Sequence, residues 1–251
     1  MICFPAEENP VHISRVATLS LFVSYLATLL LLLGPGMTLT SLVEPMTGFS
    51  TFLLGGAMGI VGLALGLVAC FLTRPASPRS GRSRAVRGAL LGAACLVVIV
   101  LIALPSSDLP PINDISTDTD DPPRFVAILE IESNRGRDMA YPGPDFATAQ
   151  RRAYRDLESL RFDEEPAALL ARVEASMQSL GLQVHALDVD AGRIEASDTT
   201  WIFGFVDDVV VRVRPAPGGS RLDIRSKSRD GKGDLGANAA RIRRLRDALS
   251  G

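Results

Sequence analysis

Three stretches within the first 104 residues, 16–33, 49–72 and 88–104, contain no Asp, Glu, Lys or Arg. A bilayer's hydrocarbon core is about 30 Å thick and takes roughly 20 apolar helical residues to cross. Each run is long enough to span it or nearly so. Residues 1–104 therefore read as a transmembrane anchor of three helices, and the charged remainder as a separate soluble domain.

Charge sets the expected orientation. The connector 74–87 carries Arg74, Arg79, Arg82, Arg84 and Arg87, whereas the connector 34–48 has no Lys or Arg and one acid, Glu44. Short arginine-rich loops stay on the cytoplasmic side. A cytoplasmic N-terminus and three crossings predict a multi-pass protein of the cell inner membrane, with its C-terminal domain periplasmic or extracellular. A cleaved leader would be residues 1–15, which hold Glu7 and Glu8 against one Arg. Gly34-Pro35-Gly36-Met37 follows the first run and offers no small-x-small site, so an uncleaved first helix is expected.

The composition divides at the same place. The first 104 residues carry six Arg and three acids, net +3, and the remainder 20 basic residues against 25 acids, net −5. Arg outnumbers Lys 24 to two, a usage that suggests a GC-rich bacterial genome. Cys3, Cys70 and Cys95 all lie in the membrane half. The C-terminal domain thus has no disulfide and no thiol nucleophile, and must fold on its apolar core. A domain of net −5 on the far side of a membrane argues against a nucleic-acid partner.

Gly55, Gly59, Gly62 and Gly66 recur at steps of four, three and four, and Gly88 and Gly92 start a similar face on the third run. Small residues at this spacing let helix backbones approach closely. The runs hold no Asp, Glu, Lys, Arg or His, so an anchor is expected and not a channel.

The soluble part predicts an α+β fold: an antiparallel four-stranded sheet covered by helices on one face. Residues 105–123, rich in Pro and Asp, read as a tether, and 124–251 as the domain. Residues 125–131 suit a short strand. Helices are expected over 145–157 with Asp145 as cap, over 164–180 with Gly181 ending it, and over 235–249. Period-two patterning places strands at 182–186, 193–197, 201–214 and 221–228.

Three blocks carry a resemblance. PPINDISTD at 110–118, leading to Pro123, FGFVDDVVVRVR at 203–214, and DIRSKSRDG at 223–231 followed by DLGANAARIR at 234–243 occur in this order. Together they resemble the domain-of-unknown-function family numbered 1499 over roughly residue 110 to the C-terminus. The resemblance implies an envelope or plastid-membrane setting and assigns no biochemistry. The position before Asp234, Ser in the family's pattern, is Gly233 here, so this chain has no hydroxyl at that position.

Chemical motifs are few. Gly231-Lys-Gly-Asp-Leu-Gly236 spells G-x-G-x-x-G, but a dinucleotide site needs a helix, a parallel strand and an acid about 20 residues on. Asp234 reads instead as a helix cap. A calcium loop starting at Asp118 would need oxygen, Gly and Glu where Pro122, Pro123 and Leu129 stand. One histidine, His185, and no cysteine give the domain no zinc set and no nucleophilic triad. No catalytic residue, metal or cofactor is assigned.

The remaining constellation is basic. Arg212, Arg214, Arg221, Arg225 and Arg229 alternate onto one face of the last hairpin, with Asp208 and Asp223 among them. This is either a cross-strand salt-bridge lattice on a solvated face or a site for an anionic ligand. Arg212, Arg225, Ser226, Ser228, Arg229, Asp234, Asn238 and Arg241 are the candidate ligand-binding residues, and those from Arg225 onward are expected to form one network. The leading reading is a membrane-anchored envelope protein, not an enzyme, whose far-side domain binds a protein partner or an anionic ligand. The alternative is a membrane-anchored hydrolase using Asp207, Asp208 or Asp234 with Arg support.

Overall fold

The computed structural model describes residues 12–75, 77, 79–104 and 108–250, which form two compact units divided between Pro105 and Ser106. Glu7, Glu8 and Cys3 of the leader, and tether positions 105–107, lie outside the described residues.

The first unit is a bundle of α1 (Arg15–Leu39), α2 (Pro45–Leu72) and α3 (Arg82–Ala103), with a short parallel pair of β1 (His12–Ile13) and β2 (Arg79–Ser80). All three helices are long and apolar enough to cross a membrane. They outrun the charge-free stretches because local capping decides their ends. Ser14 accepts from the Ala17 N–H at the start of α1, and Pro45 occupies the first turn of α2. Contrary to the expected loop, α1 continues through Gly34-Pro35-Gly36. There Gly34 crosses Gly48 so closely that a Cβ would meet the Gly48 carbonyl at 2.5 Å.

The glycines of α2 serve both neighbours. A Cβ on Gly55 would lie 2.6 Å from the Leu31 nitrogen of α1, and one on Gly66 2.6 Å from the Ala89 nitrogen of α3. Two serines add polar links: Ser20 donates to the Gly62 carbonyl at 2.9 Å and Ser24 to the Gly88 carbonyl at 2.8 Å. Such bonds satisfy hydroxyls that hydrocarbon could not.

The second unit is α+β, as expected, but its antiparallel sheet has six strands and not four. These are β3 (Asp114–Ser116), β4 (Leu160–Phe162), β5 (Gln183–Asp188), β6 (Arg193–Thr199), β7 (Val206–Ala216) and β8 (Gly219–Ser228). The order is β3-β8-β7-β6-β5, and β4 pairs with the same edge of β8 as β3, beside Ser220 to Leu222. Both added strands have three residues, too few to show a period. β3 lies inside the stretch read as a tether, and the structure corrects that reading. Ile115 is fully buried in the core and Thr117 donates its N–H to the Ile224 carbonyl.

Two further expectations fail locally. Residues 125–131 form no strand; Ala127–Glu130 is a 3-10 turn, because the N–H groups of Val126, Ala127 and Ile128 bond to the Glu195 carboxylate. Residues 201–205 precede β7 as a loop, closed by the Thr200 N–H on the Phe205 carbonyl and turned by Gly204 at φ +71°.

Three helices accompany the sheet: α4 (Pro144–Ala153), α5 (Pro166–Ser179) and α6 (Ala237–Ser250). Gly143 and not Asp145 occupies the cap of α4. Gly181, at φ +83°, ends α5 in a Schellman turn, with Gly181 bonded to Gln178 and Leu182 to Met177. The apolar stripe of α5 (Leu169, Leu170, Val173, Met177) and Ile242 and Leu245 of α6 bury against Val209, Val211, Val213, Leu222 and Ile224. Full burial of each large aliphatic side chain contributes about 1.5–3 kcal/mol. The opposite face of the sheet carries the charges.

Candidate functional site

Strand alternation sends even positions of β7 and odd positions of β8 to the face away from α5 and α6. The register places Asp208 opposite Lys227, Val210 opposite Arg225, Arg212 opposite Asp223, and Arg214 opposite Arg221. The expected lattice is present, but the face is not solvated. Irregular chain between β3 and α4 covers much of it, with Phe125, Ile128 and Met139 closing a small apolar cluster over Val210.

Arg225 lies beneath this cover. Its guanidinium bonds to Asp114 at 2.8 and 2.6 Å and donates to the Pro123 and Met139 carbonyls. The rings of Phe125 and Tyr141 sit 4.8 and 5.5 Å from its central carbon. Burial first, with the Asp114 charge second, pushes the Tyr141 hydroxyl up to about 12. Arg229 makes a two-pronged pair with buried Asp208, which also accepts from Asn134.

At the other end of this face, Arg212, Arg214 and Arg221 converge on Asp118, Asp121 and Asp223. Asp223 is fully buried; burial raises its carboxyl, but Ser159 and Arg212 outweigh this and leave it below the usual value. Ser159 bonds Asp223 at 2.5 Å and Arg221 at 2.7 Å. This end opens to a cleft of about 360 Å³ lined by Thr117 to Asp120, Arg151, Glu158, Ser159, Arg161 and Arg221. Sequence patterning placed Arg221 within the basic face and Asp118 only at the start of a calcium loop; Arg151, Glu158, Ser159 and Arg161 escaped it. Arg161 comes from a three-residue strand and Arg151 from α4, and only the fold brings them to Arg221.

The expected single network is split by the sheet. Ser226, Ser228, Asp234, Asn238 and Arg241 lie on the helical side, away from Arg212, Arg225 and Arg229. Asn238 accepts from Ser226 at 2.6 Å and donates to Ser228 at 2.9 Å, and Arg241 donates to Asn238, Asp198 and Asp207. Asp234 accepts from the N–H groups of Gly236 and Asn238, both at 2.8 Å, which satisfies two donors at the start of α6. Asp207 is nearly buried, and burial lifts its carboxyl above its usual value despite Arg241 and Ser228. Asp207 and Asp208 therefore face opposite ways, one toward Arg241 and the other toward Arg229.

His185 is exposed and contacts the Ser197 hydroxyl at 2.7 Å. No group of three or more His, Cys, Asp or Glu side chains suited to a metal ion occurs among the described residues.

No curated protein matches the chain. The family model described as "Protein of unknown function (DUF1499)" matches residues 114–249, from the first residue of β3 to the last turn of α6. That span contains the covered charged face, the cleft and the Asn238–Arg241 network. The chain belongs to this family.

Proposed function

We propose that this is a membrane-anchored protein of the cell envelope whose C-terminal domain lies across the membrane from the arginine-rich connector and binds a small anionic ligand without transforming it. One observation carries the ligand reading. Arg161, Arg221 and Arg214 stand directly opposite one another across β4, β8 and β7. Like charges in that arrangement repel. Asp118 and Asp223 neutralise Arg214 and Arg221, whereas Arg161, exposed at the cleft, makes no ion pair among the described residues. A phosphate or carboxylate beside Arg161 and Arg221 would complete the row through charge-assisted hydrogen bonds. The hydroxyl of Thr119, which accepts from Arg151, supplies a further donor, and Asp118, Asp120 and Glu158 disfavour a densely charged polyanion.

The eight residues singled out in the sequence then build the frame and not the contact. Each of Arg225, Arg229 and Arg241 already has a carboxylate partner. A hydrolase built on Asp207, Asp208 or Asp234 is disfavoured, because the first two face opposite sides and the third caps α6.

Calorimetric titration of the full chain in detergent with glycerol phosphate tests the ligand reading. Saturable binding that Arg161→Ala abolishes supports it; binding unchanged in that variant contradicts it. An alkaline-phosphatase fusion after Gly251 should be active and one within residues 77–83 inactive. The reverse pattern would overturn the placement of the domain.

A further inference from the structure

One end of the domain displays apolar groups to solvent. Trp201, the chain's only tryptophan, is 85% exposed in the β6–β7 loop, and Ile202 beside it is 44% exposed. Leu235, two residues before α6, is 59% exposed and held at φ +54°, a left-handed conformation that disfavours leucine. Neither Trp201 nor Leu235 belongs to a core cluster of the domain.

The two segments share one end of the sheet. Arg229, just past β8, donates its N–H to the Val206 carbonyl at the start of β7, so the 229–236 segment leaves beside the Trp201 loop. The chain enters the domain at that same end. Asn113 accepts from the Ser228 N–H and donates its side chain to the Gly231 carbonyl, and the Leu109 side chain lies against Gly236. In the sequence, residues 104–108 are all that separate Leu109 from Ala103, the last residue of α3. Five residues reach at most about 20 Å even when fully extended.

We propose that this end of the domain is a lipid-contacting surface, with Trp201, Ile202 and Leu235 seated in the interfacial layer of the bilayer that holds the anchor. The short connection keeps this end near the membrane. Tryptophan favours the headgroup level, where its ring is partly apolar and its N–H stays wet. Of the nearby ionic groups, Arg229 pairs with Asp208, Arg137 with Asp230 and Arg244 with Asp198, while Lys232 and Asp108 are exposed and balance one another in sign. With no net cluster of free cations at this end, insertion is driven by apolar contact, which zwitterionic lipid suffices to provide. The surface is independent of the ligand cleft, which opens beside Arg221, at the other end of β8 from Ser228.

The single tryptophan makes the test direct. The full chain is reconstituted in phosphatidylcholine vesicles with and without brominated acyl chains, and Trp201 emission is recorded with aqueous acrylamide as the second quencher. The expected result is strong quenching by brominated lipid, weak quenching by acrylamide, and no change on adding salt. The double variant Trp201→Phe, Ala191→Trp moves the probe to the β5–β6 turn at the opposite end, where the quenching pattern should reverse. Acrylamide quenching of Trp201 without lipid quenching would overturn the proposal. Protection from both quenchers would also overturn it, since a protein surface would then cover the site.

Discussion

Arg225 and Asp114 form a two-pronged ion pair beneath the cover of the charged face, and neither side chain is more than 2% exposed. Asp114 also pairs with Lys227 at 3.2 Å. Removing Asp114 therefore strands the buried Arg225 charge at a cost of about 3–5 kcal/mol, whereas removing Arg225 leaves Asp114 a cationic partner. Asp114→Ala is expected to lose that much in denaturant unfolding of the full chain, and Arg225→Ala a smaller amount, still above about 1 kcal/mol. Arg225→Lys should not rescue, because an ammonium cannot reproduce the planar fork. A loss below about 1 kcal/mol, the range of exposed pairs, would show that the pair is hydrated and the face open.

Asp234 joins the β8–α6 connection to the helix by accepting from Gly236 and Asn238. Asp234→Ala should lower stability by about 0.5–2 kcal/mol, the ordinary worth of such a cap. Chemical denaturation reads this directly, and glycerol phosphate binding should be unaffected by the change.

The exposed pair of Arg243 and Asp156 titrates in a defined window. The Arg243 hydrogen bonds, with its charge, hold the Asp156 carboxyl at about 2 against an ordinary value of 3.8. The folded state therefore favours the ionised form. This contribution is fully present above about 4 and is lost as pH falls through about 2. Carbon NMR of the Asp156 side chain should show that low midpoint, and Arg243→Ala should return it toward the ordinary value.

In the membrane bundle, glycine position predicts sensitivity. Gly66→Leu would drive a side chain into the Ala89 backbone, whereas a Cβ at Gly36 meets nothing within 4 Å. Overpacking of a tight contact costs about 1–3 kcal/mol or more. Thermal unfolding in detergent should therefore separate Gly66→Leu, destabilised, from Gly36→Leu, close to the parent.

How far the fold was legible depended on element length. The charge-free runs announced three helices, and the period-two Val209 to Arg214 segment announced the central strand. Asp114–Ser116 and Leu160–Phe162 were hidden because three residues carry no period, and prolines around the first suggested a tether. Alternation correctly put Arg212, Arg225 and Arg229 on one face. It could not reveal that irregular chain would bury that face, because the cover is held by side-chain acceptors such as Glu195 and Asp208. Ser226 and Asn238 share a hydrogen bond but lie on the sheet side opposite Arg225, so proximity in sequence overstated the network. The Arg151–Arg161–Arg221 cleft depends on three separated segments and left no local signal.

The most direct test follows the arginine Nε–H resonances of the full chain in small detergent micelles during titration with glycerol phosphate. Arg161 should shift saturably, with Arg221 following, while Arg225 and Arg229, already paired with Asp114 and Asp208, stay unmoved. Shifts at Arg225 and Arg229 with none at Arg161 would contradict the account, because the covered face and not the cleft would then be the ligand surface.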